Sequence, residues 1–192
     1  MNILYFIYTS SGHSSGGHFH SLNQISKEVG KDHKVGIISL GPKLSPVFNH
    51  NQFFLQHITV VKPLNGFIKL NKEIKQVIKS FQPNILHCFD TGALNTILPL
   101  PATFKYPVIL NKCGGPNPNR KNYQHANGII LFSAENYQWF LNNRHYEAET
   151  LFLIPNRVEK LKFLPEQNRS EQKTKGKNTF LRVSRIGGAY NK

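Results

Sequence analysis

Two adjacent glycines, Gly16 and Gly17, stand in a run of small and polar residues that could hold an anion. The run reads TSSGHSSGGHFHSL over residues 9–22, and its last part begins a predicted amphipathic helix. Backbone N–H groups at the start of a helix attract anions, and glycines let a ligand approach closely because they carry no Cβ. The spacing matches neither the dinucleotide fingerprint G-x-G-x-x-G nor the P-loop G-x-x-x-x-G-K-[ST]. A phosphate site and a flexible connector both remain open.

Three histidines in the same run, His13, His18 and His20, raise the question of a metal site. Helical metal-binding pairs usually stand four residues apart or flank a carboxylate, and no acidic residue lies nearby. We therefore predict no metal site, while a catalytic role for one of these histidines stays open.

A second unusual loop, NKCGGPNP at residues 111–118, follows a predicted strand. Its paired glycines and its prolines fix a backbone path that a plain surface turn does not need. Cys113 beside Lys112 could be an activated nucleophile, but no histidine and acid stand at a matching spacing. A small packed side chain is therefore the favoured interpretation of Cys113.

Short apolar runs alternate with one-sided helical patterns along the first 156 residues. The runs are too short for helices and rich in β-branched and aromatic residues, which is typical of buried strands. We predict strands at 3–8, 33–40, 56–61, 84–89, 108–111, 128–132 and 151–154. We predict helices at 17–29, 67–81, 91–98 and 134–146. This alternation predicts an α/β fold, a Rossmann-like doubly wound parallel sheet with helices on both faces.

Ligands of such sheets bind beyond the carboxyl ends of the strands. The opening glycines, the segment that starts at Asp90 and the loop that starts at Lys112 all fall there. The loops that could do chemistry are therefore expected at one edge of the sheet.

The sequence changes character after Asn156. Residues 157–178 mix basic, acidic and amide side chains with little periodicity, which is typical of a polar, basic linker. Residues 179–192 then begin a new apolar strand with no further sheet to join. We predict one domain at 1–156, a linker at 157–178, and the first strand of a truncated second domain at 179–192.

A net charge of +14 is the strongest compositional signal. It fits nucleic acid, an anionic membrane surface or a phosphorylated small molecule, and equally a basic face matched by an acidic partner. Four lysines fall on one predicted face of the helix at 67–81, which is either a solvated surface, the commoner use of such a face, or a surface that touches anionic headgroups. They are Lys69, Lys72, Lys75 and Lys79, and Ile68 lies among them. The aromatic residues fall mostly on core-facing positions, which argues against a nucleic-acid platform.

No segment approaches the roughly 18 uncharged apolar residues of a membrane span, and the sequence starts on a predicted strand without an export leader. We therefore expect a cytoplasmic protein. Cys88 and Cys113 are expected as free thiols, because that compartment is reducing.

Six segments, taken in order, resemble the N-terminal half of a GT-B glycosyltransferase, of the retaining family four (the glycosyl transferases group 1 type). They are Gly16-Gly17, PNILHCFD (83–90), NKCGGPNP (111–118), ANGIILFS (126–133), LIPNRVE (153–159) and FLRVSRIG (180–187). The resemblance covers essentially the whole chain. It implies two Rossmann-like domains that face each other across a cleft, the first binding the acceptor and the second the nucleotide sugar. It also implies that this sequence stops at the start of the donor domain.

The resemblance implies roles for individual residues. The donor diphosphate would contact Gly16, Gly17, Arg185 and Lys192. The acceptor side of the cleft would be lined by His13, Ser14, Ser15, His18, Asp90, Lys112, Cys113, Gly114 and Gly115.

Many members of the family carry a histidine near the transferring sugar, at the end of the strand that corresponds to 108–112. Lys112-Cys113-Gly114 stands at that place here, so the catalytic groups stay unassigned. Retention by front-face attack of the acceptor needs no protein nucleophile, and the lack of a catalytic triad is therefore no objection.

The implied function is transfer of a sugar, with retention, from a nucleotide sugar to a glycan, lipid-linked or cell-envelope acceptor. The nucleotide sugar is a co-substrate, and no other cofactor is expected. The chain by itself is expected to be inactive, because most donor contacts belong to the second domain. A cytoplasmic protein, peripheral on the inner face of the membrane, would fit such acceptors. The alternative is a non-catalytic basic module that binds an anionic membrane surface or nucleic acid.

Overall fold

A computed structural model describes residues 1–10, 16–60, 64–112, 121–143 and 146–155. These residues form a parallel β-sheet flanked by helices. The strands are β1 (Asn2–Tyr8), β2 (Lys34–Leu40), β3 (Phe54–Ile58), β4 (Ile85–Cys88), β5 (Val108–Lys112), β6 (Gly128–Leu131) and β7 (Leu151–Leu153). The α-helices are α1 (Gly17–Val29), α2 (Leu64–Phe81), α3 (Thr91–Ile97) and α4 (Ala134–Leu141).

The predicted fold class is confirmed. The seven strands form one sheet in the order β3-β2-β1-β4-β5-β6-β7, and every neighbouring pair is parallel. From β1 the chain moves through β2 to β3 at one edge of the sheet. It then crosses to β4, on the other side of β1, and continues through β5 and β6 to β7 at the opposite edge. Because crossover connections are right-handed, opposite directions place their helices on opposite faces of the sheet.

Two hydrophobic clusters lie on the two faces of the sheet. One contains the buried side chains of α2, α3 and α4, and the other contains Phe19 and Leu22 of α1. Strand β1 contributes to both, with Leu4 and Phe6 in the first and Tyr5 and Ile7 in the second. Burial on both faces explains why this strand is a continuous apolar run rather than an alternating one.

Three predicted elements have boundaries that differ from the structure by two to five residues, and one of them is α2, which starts at Leu64 rather than at residue 67. The third strand starts at Phe54 rather than at residue 56, and pairing with β2 shifts register between Ile37 and Ile38. Helix α4 ends at Leu141 rather than at residue 146. The aromatic ring of Tyr146 packs on Phe140 with the ring centroids 4.7 Å apart, so its apolar character reflects packing from a turn and not a longer helix.

Within the described part of the chain, no helix is both long enough and apolar enough to cross a membrane.

Candidate functional site

The carboxyl ends of β1, β4 and β5 lie side by side in the sheet. They bring the start of α1, Asp90 and Lys112 to one edge, as the sequence predicts. The direction of the chain reverses between β2 and β4, which flank β1 on its two sides. Such a switch point opens a crevice at the carboxyl edge, and ligands of open α/β sheets bind there.

Helix α1 begins without a side-chain cap. Gly16 is the extended N-cap residue, and its carbonyl accepts hydrogen bonds from the N–H groups of Phe19 (3.0 Å) and His20 (3.3 Å). No acidic residue lies in the first turn. The positive end of the helix dipole therefore lies at this edge of the sheet, where it favours an anion.

Gly17 is exposed, and a Cβ built on it meets no atom within 4 Å. The fold itself therefore does not require glycine at this position. A requirement would have to come from a ligand that approaches the backbone.

Asp90 joins the end of β1 to the start of α3. Its Oδ2 accepts a hydrogen bond from the N–H of Tyr8 (2.7 Å), and its Oδ1 accepts one from the N–H of Ala93 (2.8 Å). Burial raises the pKa of Asp90 to about 6, and backbone N–H donors from Tyr8, Ala93 and Gly92 partly oppose that rise. Both carboxylate oxygens are committed to the backbone, so the carboxylate shapes this edge of the sheet.

Gly92 allows α3 to approach β1. A Cβ on Gly92 would lie 2.9 Å from the Cβ of Tyr8, closer than side chains tolerate. The hydroxyl of Thr91 also forms a 2.6 Å hydrogen bond with the hydroxyl of Tyr123, which fixes the start of α3 from the other side.

A second backbone junction closes the ends of β1 and β2. The N–H of Thr9 donates to the carbonyl of Leu40 (2.7 Å), and the Thr9 hydroxyl bonds to the carbonyls of Leu40 and Lys43. Gly41 has φ of +125°, and a Cβ on it would lie 2.0 Å from the Thr9 carbonyl oxygen. This junction was not predicted, because the contact joins residues about thirty positions apart; the Gly-Pro pair after the second strand is the signal that could have indicated it.

Two buried polar pairs lie just below the carboxyl edge. His87 Nε2 is 2.9 Å from Asn111 Oδ1, and the His87 ring lies 4.9 Å from the Tyr5 ring. Burial lowers the pKa of His87 to about 4, although the Asn111 hydrogen bond acts in the opposite direction. A neutral imidazole whose Nε2–H donates to the amide oxygen of Asn111 links β4 to β5 and is a structural part of the sheet.

The other pair is His57 Nδ1 with Ser39 Oγ, 3.1 Å apart. Burial lowers the pKa of His57, against the effect of the Gly41 and Ser39 backbone. Its Nε2 is buried and has no hydrogen-bond partner among the described residues. Sequence reasoning did not find this pair, because nothing in a lone histidine on an edge strand indicates its partner.

The remaining predicted site residues divide into two groups. Lys112 is the buried last residue of β5, and His18 is partly buried with its ring 4.1 Å from that of Phe19. The others lie outside the described residues, and their roles stay predictions: His13, Ser14, Ser15, Cys113, Gly114, Gly115, Arg185 and Lys192. The predicted strand at 179–192 lies outside the described residues as well.

Groups of three or more histidine, cysteine or acidic side chains that could hold a metal are absent from the described part of the chain. The Cys88 thiol is free and buried, and burial, with the nearby Asp90 charge, raises its pKa well above the usual value. Such a thiol is a poor nucleophile, because nucleophilic attack requires the thiolate.

A groove of about 790 Å³ opens away from this edge, near the amino end of β5. Its lining includes Phe104, Lys105, Tyr106 and His125. It is therefore separate from the candidate site.

Comparison with solved structures identifies the fold. HepE of Anabaena in complex with UDP superposes with a TM-score of 0.59 at 15% sequence identity, over 83% of this chain and 45% of that one. The UDP-GlcNAc 2-epimerase of Neisseria meningitidis bound to UDP-GlcNAc gives 0.60 at 13% identity, over 80% and 45%. The lipopolysaccharide outer core galactosyltransferase WaaB gives 0.58 at 10% identity, over 81% and 46%.

These neighbours are GT-B proteins, and the chain spans less than half of the length of each. The resemblance to one half of a GT-B protein is thus confirmed at the level of fold. No protein-family model matches the sequence, and no curated protein matches it significantly. Family four and retention stay predictions.

Proposed function

We propose that this chain is the acceptor-side half of a GT-B glycosyltransferase that uses a nucleotide-sugar donor. One observation carries the proposal: the start of α1, with a glycine N-cap and open space at Gly17, lies at the switch point of a GT-B sheet. The complexes of HepE with UDP and with UDP-glucose support the choice of a nucleotide sugar.

The amides at the start of α1 would hold the donor diphosphate. They would do so together with Arg185 and Lys192, which the sequence predicts at the start of the donor domain. The positive end of the helix dipole would favour the anion there. Glycine at position 17 would let the phosphate oxygens approach the backbone.

The acceptor would lie on the side of Asp90, Lys112 and the loop that follows Lys112. Asp90 is a positioning residue in this scheme, because its two oxygens already accept backbone hydrogen bonds. Front-face attack by the acceptor hydroxyl, with retention, requires a cleft that orients both substrates and no protein nucleophile. The acceptor class that we propose is a glycan, lipid-linked or cell-envelope molecule, reached from the cytoplasmic face of a membrane by a peripheral protein.

A titration of the chain with UDP, followed by ligand-observed NMR, tests the donor site. We expect weak binding that is lost in Gly17→Val, because the added side chain would occupy the space of the anion while the fold stays intact. Gln24→Val, an exposed position further along α1, is the matched control and should bind UDP as the wild type does. Equal binding by Gly17→Val and wild type would show that the start of α1 is a connector and not a phosphate site.

A non-catalytic basic module is the second candidate, favoured by the net charge of +14. It predicts the opposite result in the same titration: no UDP binding at any concentration, with binding to anionic surfaces retained.

A further inference from the structure

Two large apolar side chains are exposed on adjoining elements of the face that carries α2. Ile68 on α2 is 66% exposed, and Phe104, directly after the 3₁₀ turn at Pro101–Thr103, is 70% exposed. The two elements are joined by a hydrogen bond from the Ala102 N–H to Asn71 Oδ1, 3.1 Å long. No other large apolar side chain among the described residues is as exposed as these two.

Three lysines continue the row that Ile68 begins. Lys72, Lys75 and Lys79 follow Ile68 at intervals of four, three and four residues, which places all four side chains on one stripe of the helix. The stripe is about 16 Å long, from the helical rise per residue. All three lysines are exposed, and none has an ion-pair partner within the described ranges.

Lys69, the fourth lysine of the predicted arc, lies beside this stripe, because it is one position after Ile68 and so is rotated by about 100° around the helix. Its Nζ lies 3.8 Å from Glu73 Oε1, one turn further along the side of the helix. Lys105 extends the basic surface on the other element, because it is exposed and follows Phe104 directly.

Acidic residues are nearly absent from this part of the molecule. Residues 64–81 and 99–108 contain Glu73 as their one acidic residue, and it pairs with Lys69 off the stripe. We call the set formed by Ile68, Phe104, Lys72, Lys75, Lys79 and Lys105 the basic-apolar surface. It combines lysines that have no ion-pair partner among the described residues with two highly exposed apolar side chains.

We propose that the basic-apolar surface docks on an anionic lipid bilayer. Ile68 and Phe104 enter the headgroup region, and the lysines contact lipid phosphates while their aliphatic stems lie along the boundary. A nucleic acid offers phosphates as well, but it buries apolar side chains only where its bases unstack, so the two exposed apolar side chains favour the bilayer. The inference rests on the proposed peripheral location.

Docking through this surface would also orient the candidate site relative to the bilayer. Helix α2 follows β3, so its first turns, with Ile68, lie towards the carboxyl edge of the sheet. Because Phe104 and Lys79 lie towards the amino edge, docking would lay this face of the sheet along the bilayer, with the candidate site at the end that carries Ile68.

Vesicle co-sedimentation of the chain tests the proposal. We expect binding to vesicles of phosphatidylcholine mixed with phosphatidylserine, and little binding to phosphatidylcholine alone. Replacement of Lys72, Lys75 and Lys79 by glutamine should weaken partitioning on the order of a hundredfold, at about fivefold per lysine. The control replaces Lys27, Lys31 and Lys43, exposed lysines outside the surface, by glutamine; it removes the same charge and should change partitioning only a few-fold.

The apolar contribution needs its own variants. Ile68→Ser and Phe104→Ser should each weaken partitioning roughly tenfold and make the remaining binding more sensitive to salt, because only charge is left. Leu44→Ser, an exposed leucine outside the surface, should bind as the wild type does.

Three results would overturn the proposal. They are equal binding to neutral vesicles, equal losses in the stripe variant and its lysine control, and tight RNA binding that displaces vesicles and ignores both apolar variants. None of these experiments measures sugar transfer or UDP binding. They can therefore contradict membrane docking without contradicting the proposed function, and the UDP titration can do the reverse.

Discussion

At the scale of single residues, the buried ionisable side chains hold the candidate site in place. Asp90 ties β1 to α3 through two backbone hydrogen bonds, and His87 ties β4 to β5 through Asn111. Burial disfavours the charged form of each residue, so it raises the pKa of Asp90 and lowers the pKa of His87. The two residues therefore give stability opposite dependences on pH.

Asp90→Asn should destabilise the fold most at low pH. The folded state raises the Asp90 pKa to about 6 from 3.8, so it binds the proton more tightly than the unfolded chain between these values. Its contribution to the free energy of unfolding therefore falls as pH rises from about 4 to 6, by roughly 2 to 3 kcal/mol. Urea unfolding of wild type and variant at both ends of that range should show the stability difference shrinking towards neutral pH; a constant difference would mean that the carboxylate stays ionised throughout.

His87→Gln should reduce the loss of stability that the wild type shows as pH falls. The folded state lowers the His87 pKa to about 4 from 6.5, so the unfolded chain binds the proton more tightly in this window. The wild type should thus lose about 3 kcal/mol of His87-linked stability as pH falls from 6.5 to 4. Glutamine keeps an N–H donor for Asn111 but does not titrate, so a variant that loses as much stability as the wild type would exclude His87 as the source.

At the scale of elements, the backbone junctions at the carboxyl edge decide where the loops lie. Gly41 packs against the Thr9 carbonyl with positive φ, and Gly92 packs against Tyr8. These contacts fix the ends of β1, β2 and β4 relative to each other, and the first turn of α1 is presented beside them.

Gly41→Ala should cost about 3 kcal/mol of stability, because alanine is strained at that φ and its Cβ overlaps the Thr9 carbonyl. Gly17→Ala is the matched control, since its Cβ meets open space and alanine favours helix. Chemical denaturation of both variants measures the contrast. Similar stabilities for the two would mean that the junction relaxes freely.

The existence of these elements follows from the sequence, but their junctions do not. Residues 3–8 are apolar on both faces, which is sufficient to predict a central parallel strand, and Gly30 ends α1 where predicted. The bond from Asp90 to Tyr8 joins residues 82 positions apart, and no local pattern contains that information. By contrast, the pair of Lys69 with Glu73 on α2 lies at a spacing of four residues, so helical periodicity could have indicated it.

At the scale of the whole molecule, the chain covers about 45% of the GT-B proteins that it resembles. Under the proposed function, the donor sugar and most of the nucleotide are bound by the other half of a two-domain transferase. We therefore expect no sugar transfer by the 192-residue chain from any nucleotide sugar. Product formation in a radiolabelled transfer assay with the purified chain would contradict the division of labour between the halves.

The central claim is that a nucleotide diphosphate binds at the carboxyl edge of this sheet, at the start of α1. Amide chemical-shift mapping of the chain during a UDP titration tests it most directly. We predict that the largest shifts cluster at Gly17, His18 and the segment from Asp90 to Gly92. Shifts centred on the groove at Phe104 and Tyr106 near the amino end of β5, or no shifts at saturating UDP, would contradict it.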